Sequence, residues 1–257
     1  MTRIVIALAA LATILGQCAF AVTASAQSAA GGDRARLLAR GDSVYVEQCV
    51  ACHGPKGDGQ GSGAYILSQA PRNFTLGTFK FRSTRSGAAP TDDDLLRTIT
   101  QGIAGETGAM MPSFAALPES DRLALVAVVK RFAGISGPVN PIRVPPEPAR
   151  RDLDLGARVY ERLQCATCHG PDGKGDGPSS ITLRDDQKRR IWTPDLTKGI
   201  YKRGGSATDA YLSFATGLDG TPMPSYADKA SADELWALTH FVQSLAKNPA
   251  TEASGTK

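Results

Sequence analysis

Cysteine and aromatic side chains are both scarce in this 257-residue sequence. Of the five cysteines, Cys18 lies in the first apolar stretch and the others lie in two short motifs, so no thiol is left over for a structural disulfide. Aromatic residues make up 6% and hydrophobic residues 42%, which is thin for two cores of about 100 residues each. Small domains of this composition need a staple or a bound cofactor to supply apolar mass.

A large excess of one charge is also absent. The sequence has 29 Lys and Arg against 25 Asp and Glu, a formal charge of +4, and the basic residues are spread over both halves. A nucleic-acid binder concentrates Lys and Arg on one stripe. We therefore expect no nucleic-acid partner.

Long apolar runs are confined to the start of the chain. Residues 1–26 contain Arg3, an apolar run over 4–15 and the small-residue pattern ASA at 24–26. This order is typical of a secretory signal peptide cleaved after the last of these residues, which predicts a periplasmic protein. An uncleaved membrane anchor and lipoprotein processing at Cys18 stay open as alternatives.

The pattern Cys-x-x-Cys-His occurs twice, as CVACH at residues 49–53 and as CATCH at residues 165–169. This spacing is typical of c-type haem attachment, in which the thiols add to the porphyrin vinyl groups and the His lies under the iron. A redox dithiol needs a preceding strand, and two zinc sites cannot be completed because His240 is the one histidine left. The sequence therefore predicts two covalently attached haem c groups. The predicted attachment residues are Cys49, Cys52, Cys165 and Cys168.

Candidates for the second axial ligand of each iron are few. The run Met-Pro-Ser-aromatic is shared by residues 111–114 and 223–226, at matching distances after the two haem motifs. A Met thioether gives a six-coordinate iron with a raised reduction potential. The predicted axial ligands are His53, Met111, His169 and Met223. Met110 has no counterpart and stays open as an alternative to its neighbour, while His240 is predicted to be a partly exposed packing residue.

The surroundings of the two motifs form an internal repeat. Gly41 and Tyr45 precede the first motif as Gly156 and Tyr160 precede the second, four residues apart on one helix face. A helical glycine costs about 1 kcal/mol against alanine, so we expect another helix to approach closely there. The apolar residues predicted to share these faces are Leu37, Val44, Leu153, Val159 and Leu163.

Each repeat continues with a glycine-rich loop, a basic stretch, a middle helix and a last helix. Capping boxes at residues 91–94 and 206–209 are predicted to start the middle helices, and Gly102 and Gly217 to end them. The last helices are expected over about Glu119 to Phe132 and Ser231 to Leu245, with Leu123, Val126, Leu235 and Leu238 on their apolar faces. The basic residues that would bind haem propionates, or else form a solvated patch, are Lys80, Arg82, Lys202 and Arg203.

Proline marks the division between the repeats. Residues 137–148 contain five prolines, which favours an extended, semi-rigid linker. The predicted organisation is a signal peptide over 1–26, a first domain over 33–133, a Pro-rich linker over 134–150, a second domain over 151–247 and a flexible tail over 248–257.

Each half resembles a class I cytochrome c in its Gly-x-x-x-aromatic helix, haem motif, glycine-rich loop, Met-Pro loop and terminal helix. The whole resembles bacterial dihaem cytochromes made of two fused class I domains. This resemblance implies an all-α fold of two tandem domains, each wrapped around one haem, with its first and last helices crossing. It also implies single-electron transfer between protein partners, such as a membrane-bound respiratory complex or a periplasmic oxidoreductase, with no small-molecule substrate.

Two other functions stay open. A dihaem peroxidase or sulfur-compound dehydrogenase would need an iron with a displaceable or different distal ligand, against which the paired Met candidates argue. A docking subunit would place its haems in another enzyme's chain of centres.

Replacing one thiol tests the haem motifs directly. Cys52→Ser or Cys168→Ser should leave one thioether, or no covalent haem, in the affected half, because the serine hydroxyl does not add to the vinyl group. Mass spectrometry and the haemochrome spectrum measure this. Unchanged attachment of two haems by four thioethers in both variants would contradict the prediction.

Overall fold

The computed structural model describes residues 31–67, 69–106 and 110–246, so the predicted leader and tail lie outside the described residues. Within these ranges the structure is helical, with isolated β-bridges and no strand. The helices are α1 (residues 31–48), α2 (Val50–His53), α3 (Asp92–Gln101), α4 (Glu119–Phe132), α5 (Leu153–Arg162), α6 (Ala166–His169), α7 (Ala207–Thr216) and α8 (Ala232–Ser244). Four 3-10 helices cover Ala64–Ile66, Phe74–Leu76, Ser180–Thr182 and Leu196–Lys198. No helix in the described ranges is long and apolar enough to cross a membrane.

The first and last helices of each half cross at a glycine. A Cβ atom at Gly41 of α1 would lie 2.8 Å from the carbonyl carbon of Ala124 in α4. A Cβ atom at Gly156 of α5 would lie 2.8 Å from the carbonyl carbon of Ala237 in α8. Both distances are too short for real side chains, so the close approach predicted from the helical glycines is confirmed.

The middle and last helices begin and end close to the predicted residues. Thr91 and Asp94 form a reciprocal capping box at α3, as Ser231 and Glu234 do at α8. At α7, Ser206 caps the amide of Asp209, but the reciprocal bond is not made. Gly102 and Gly217 end α3 and α7 with φ of 71° and 68°, conformations that favour glycine.

The buried faces are mostly those predicted, with three leucines wrong. Val44, Tyr45, Val126, Val159, Tyr160, Leu235 and Leu238 are buried. Leu37, Leu123 and Leu153 are each about 40% exposed. On α1 it is Leu38, three residues before the crossing glycine rather than four, that packs against the core. Leu123 faces away from the crossing, and Leu153 is the first residue of its helix, before the part that α8 covers.

The Pro-rich segment is extended and contacts both halves. The amide of Ile142 donates to the carbonyl of Ser83 at 2.7 Å, in the N-terminal half. Ile142 and Val144 pack against the cluster around Trp236 in the C-terminal half. Glu147 lies 2.9 Å from the ring Nε2 of His240. These contacts hold the linker against the molecule.

Two buried arginines join the halves. The Arg82 side chain is 0% exposed, donates to the Thr216 carbonyl at 2.6 Å and pairs with Asp219 at 2.7 Å. The Arg203 side chain is 3% exposed and donates to the Arg82 carbonyl at 2.9 Å. A solvated basic patch is therefore wrong for these two residues, because each is enclosed between the halves, where a guanidinium finds carbonyl and carboxylate partners.

The close helix crossing can be tested with a variant and a control that both lie in α1. Gly41→Ala should lower the free energy of unfolding by about 1–3 kcal/mol, because the added methyl group overlaps α4. Gly32→Ala is the control, since a Cβ atom there has nothing within 4 Å and alanine favours helix. Denaturant unfolding of the two variants measures the difference. Equal stability would contradict the close crossing.

Candidate haem sites

The first haem motif lies at one wall of an apolar cavity in the N-terminal half, called the N-cavity below. Cys49 directly follows α1 and caps the short helix α2, which contains Cys52 and His53. The Met loop after α3 lies on the cavity as well. The predicted ligands and attachment residues that line this cavity are Cys49, Cys52, His53 and Met111, and Met110 lines it too.

The geometry around His53 suits a metal-binding imidazole. Its Nδ1 atom lies 3.1 Å from the carbonyl oxygen of Arg72, so Nδ1 carries the proton and Nε2 keeps its lone pair. The ring stacks on Phe74 at 4.5 Å, which holds its plane. Burial lowers the pKa of His53, partly offset by the Arg72 carbonyl, so the imidazole is kept neutral.

The C-terminal half repeats this arrangement around a second cavity, called the C-cavity below. Cys165, Cys168, His169 and Met223 all line it. Burial lowers the pKa of His169 to about 4, and the Pro194 carbonyl, which matches that of Arg72 in the repeat, opposes the shift. That carbonyl is near enough to act on the pKa of the ring, but the buried Nδ1 makes no hydrogen bond of ordinary geometry. His169 therefore lacks the Nδ1 hydrogen bond that orients His53.

A tyrosine fixes the chain directly after each motif. The hydroxyl of Tyr45 donates to the Gly54 carbonyl at 2.8 Å, and that of Tyr160 to the Gly170 carbonyl at 2.7 Å. Both glycines follow the motif histidine and have φ near 77°, which turns the chain sharply. The sequence placed the aromatic residues on the helix but did not reveal this bond. Their recurrence at the same distance before both motifs was the available signal.

The two Met loops have equivalent backbone anchors. The amide of Ile103 donates to the Met111 carbonyl at 2.9 Å, and the amide of Leu218 donates to the Met223 carbonyl at 3.0 Å. Each anchor follows the glycine that ends the middle helix. The structure thus confirms that Met111 and Met223 occupy matching places, while which Met binds each iron stays a prediction.

The donor set fits covalent haem. All four motif cysteines are free thiols of intermediate burial, and burial raises the pKa of Cys49 and of Cys165 to about 11. Protonated thiols are poor nucleophiles for redox exchange. Each cavity therefore combines two unpaired thiols, a neutral half-buried imidazole and a thioether around apolar walls, which is the set that haem c requires.

Two features of the C-terminal half differ from the sequence predictions. His240 is 1% exposed rather than partly exposed, because α8 is covered by the linker as well as by α7; it packs beside Trp236, away from the C-cavity residues. Residues 183–191 form a small turn closed by the bridge between Arg184 and Arg190, and Leu183 and Ile191 line the C-cavity. The repeat comparison did not indicate this turn.

The N-cavity and the C-cavity meet between the halves. Four residues line both cavities, and three of them come from the N-terminal half. The shared residues are Gln69, Lys80, Phe81 and Lys202. The two cavities are therefore neighbours across one narrow seam, a relation that the order of motifs along the chain does not reveal.

These features define two cytochrome c domains in one chain, and comparison with known proteins agrees. The family model described as cytochrome c matches residues 153–246. The model described as cytochrome c oxidase, cbb3-type, subunit III, matches residues 36–128.

Known relatives are similar to this chain over most of its length. The chain is 24% identical over 212 residues to the cbb3-type cytochrome c oxidase subunit FixP of Azorhizobium caulinodans, covering 80% of this chain and 59% of that protein. It is 26% identical over 216 residues to the subunit CcoP of Helicobacter pylori, covering 81% and 59%. The chain thus spans about 59% of the length of these curated relatives.

A solved structure is more similar. A chain of the Kuenenia stuttgartiensis reducing HAO-like protein complex Kustc0457/Kustc0458 is 42% identical, with a TM-score of 0.77, over 81% of this chain and 96% of that one. The protein described here belongs to the dihaem cytochromes c with two fused cytochrome c domains, and its cofactors are two haem c groups.

Proposed function

We propose that this protein is an electron-transfer subunit that passes single electrons between protein partners through its two haems. The observation that carries the proposal is the seam at which two equivalent cavities meet. Two equivalent haem sites that lie side by side suit the transfer of an electron from one haem to the other. Each haem iron supplies a one-electron ferric/ferrous couple when bound.

The residues around each cavity would hold the haems as follows. Cys49 and Cys52 would attach one haem, and Cys165 and Cys168 would attach the other. His53 and Met111 would bind the iron in the N-cavity; His169 and Met223 would bind the iron in the C-cavity. The backbone anchors of both Met loops support ligands that stay in place, as an electron carrier needs.

A subunit role is favoured over a free carrier by the relatives. The FixP and CcoP relatives are named as oxidase subunits, and the structural relative as part of a protein complex. We propose that the partners are a protein donor and a protein acceptor outside the cytoplasm, one of them a membrane-bound respiratory complex or a periplasmic oxidoreductase. The domain limits 33–133 and 151–247 and cleavage of residues 1–26 are part of this proposal.

Replacing the Met ligands tests the assignment. Met111→Ala and Met223→Ala should each lower one of the two midpoint potentials and give that iron a high-spin signal, because a thioether ligand stabilises the reduced iron. A redox titration with haem quantification and absorption spectra measures both effects. Met110→Ala is the control and should leave both potentials in place.

The outcome separates three assignments. If Met110→Ala gives the loss and Met111→Ala does not, the ligand in the N-cavity is the neighbouring Met. If the unaltered protein already has a high-spin iron at neutral pH, the carrier role is wrong and an enzyme with an open site is favoured.

Purification tests the subunit role. The chain, tagged at its C-terminus and expressed in its own host, should co-elute in fixed ratio with one redox enzyme after mild solubilisation, and its haems should be reduced or oxidised by that enzyme. A monomer that elutes alone from both soluble and membrane fractions would favour the free carrier instead.

A further inference from the structure

The seam between the cavities is positively charged and has few anionic partners. Lys80 comes from the N-terminal half and Lys202 from the C-terminal half, and each lines both cavities. Lys202 reaches across to the Oε1 atom of Gln69 at 3.2 Å. Among the described residues, Lys80 makes no side-chain hydrogen bond or ion pair within ordinary distance.

The other charges near this pair do not neutralise it. The positive charges of Arg72 and Arg189 disfavour the protonated form of Lys80. Asp185 favours the protonated form, but its carboxylate is already paired with Arg189 at 2.9 Å. Arg72 has Asp186 at 3.5 Å. The acidic residue that acts on Lys202 is Glu106, and its carboxylate is already paired with Lys198 at 2.9 Å.

This environment penalises both ammonium groups. Burial lowers the pKa of Lys80 to about 8, and the positive charges of Arg72 and Lys202 add to the effect. Burial also lowers the pKa of Lys202. Two ammonium groups that share a partly buried site need acidic groups to offset their desolvation. Haem c carries two such groups, its propionates.

We propose that Lys80 and Lys202 form one cationic site for the acidic groups of both haems, so that each lysine sets the redox potential of both centres. This inference rests on the proposed function, since it requires a haem in each cavity. It differs from an arrangement in which each domain neutralises its own haem. A positive charge nearby favours the reduced iron, which carries one positive charge fewer.

If the proposal is right, replacing one lysine changes the midpoint potentials of both haems. Lys80→Gln should lower both midpoint potentials, each by roughly a three- to tenfold shift of the ferric/ferrous equilibrium, where tenfold corresponds to about 59 mV for one electron. Lys202→Gln should do the same from the other domain. The measurement is a redox titration of the haem-loaded full chain at fixed pH and ionic strength.

Two further variants separate charge from packing. Lys80→Arg keeps the positive charge, so both midpoint potentials should stay close to those of the unaltered protein. Lys174→Gln is the matched control: Lys174 is exposed, pairs with Asp172 at 3.1 Å and lines neither cavity, so both potentials should stay unchanged.

The proposal is overturned if Lys80→Gln and Lys202→Gln each shift a single potential, or none. It is also overturned if both potentials fall and Lys80→Arg does not restore them, because the cause is then packing. If one variant binds fewer than two haems, the other lysine variant decides. A chain without two low-spin haems before any substitution would instead refute the proposed function.

Discussion

In each half, the close crossing of the first and last helices is the constraint on which the haem site depends. Gly41 and Gly156 let the two helix backbones approach within a distance that excludes any side chain at the contact. The haem motif begins at the end of the first helix, so this contact decides where the thiols and the imidazole lie. The tyrosine one turn after the glycine then bonds to the chain directly beyond the motif histidine. Crossing, tyrosine anchor and histidine therefore form one continuous support.

The two halves use this support equally but hold their histidines differently. In the N-terminal half a carbonyl bonds to the histidine Nδ1 and an aromatic ring stacks on it. In the C-terminal half the corresponding residue of the stacking position is Leu196, and Nδ1 makes no such bond. The hydrogen bond on the far side of an imidazole affects its strength as a metal ligand. The two centres are thus built alike but hold their histidines differently.

The junction between the halves contains buried ion pairs and also two lysines without a carboxylate partner among the described residues. Arg82 is fully enclosed and bonded to a carboxylate and a carbonyl of the other half, so separating the halves would break two charge-assisted hydrogen bonds that are now shielded from water. Lys80, two residues before Arg82, and Lys202, directly before Arg203, have no such carboxylate partner among the described residues. The arginines therefore hold the halves together, whereas the two lysines are the residues for which we propose cofactor partners.

Local features could be predicted from the order of residues: the haem motifs, the capped helices, the glycines at the crossings and the two-fold repetition of the Met-Pro run. These depend on spacing within one or two helical turns, and spacing can be read from the order of residues. Which leucine faces the core could be predicted less well, since Leu37 and Leu38 differ by one position on a helix whose rotation is set by its partner. Three features could not be predicted in this way: Arg82 and Arg203 are buried, His240 is covered by the linker, and the two cavities share Lys80 and Lys202. Those facts depend on contacts between residues more than 90 positions apart, whose energies come from desolvation and from pairing between distant segments.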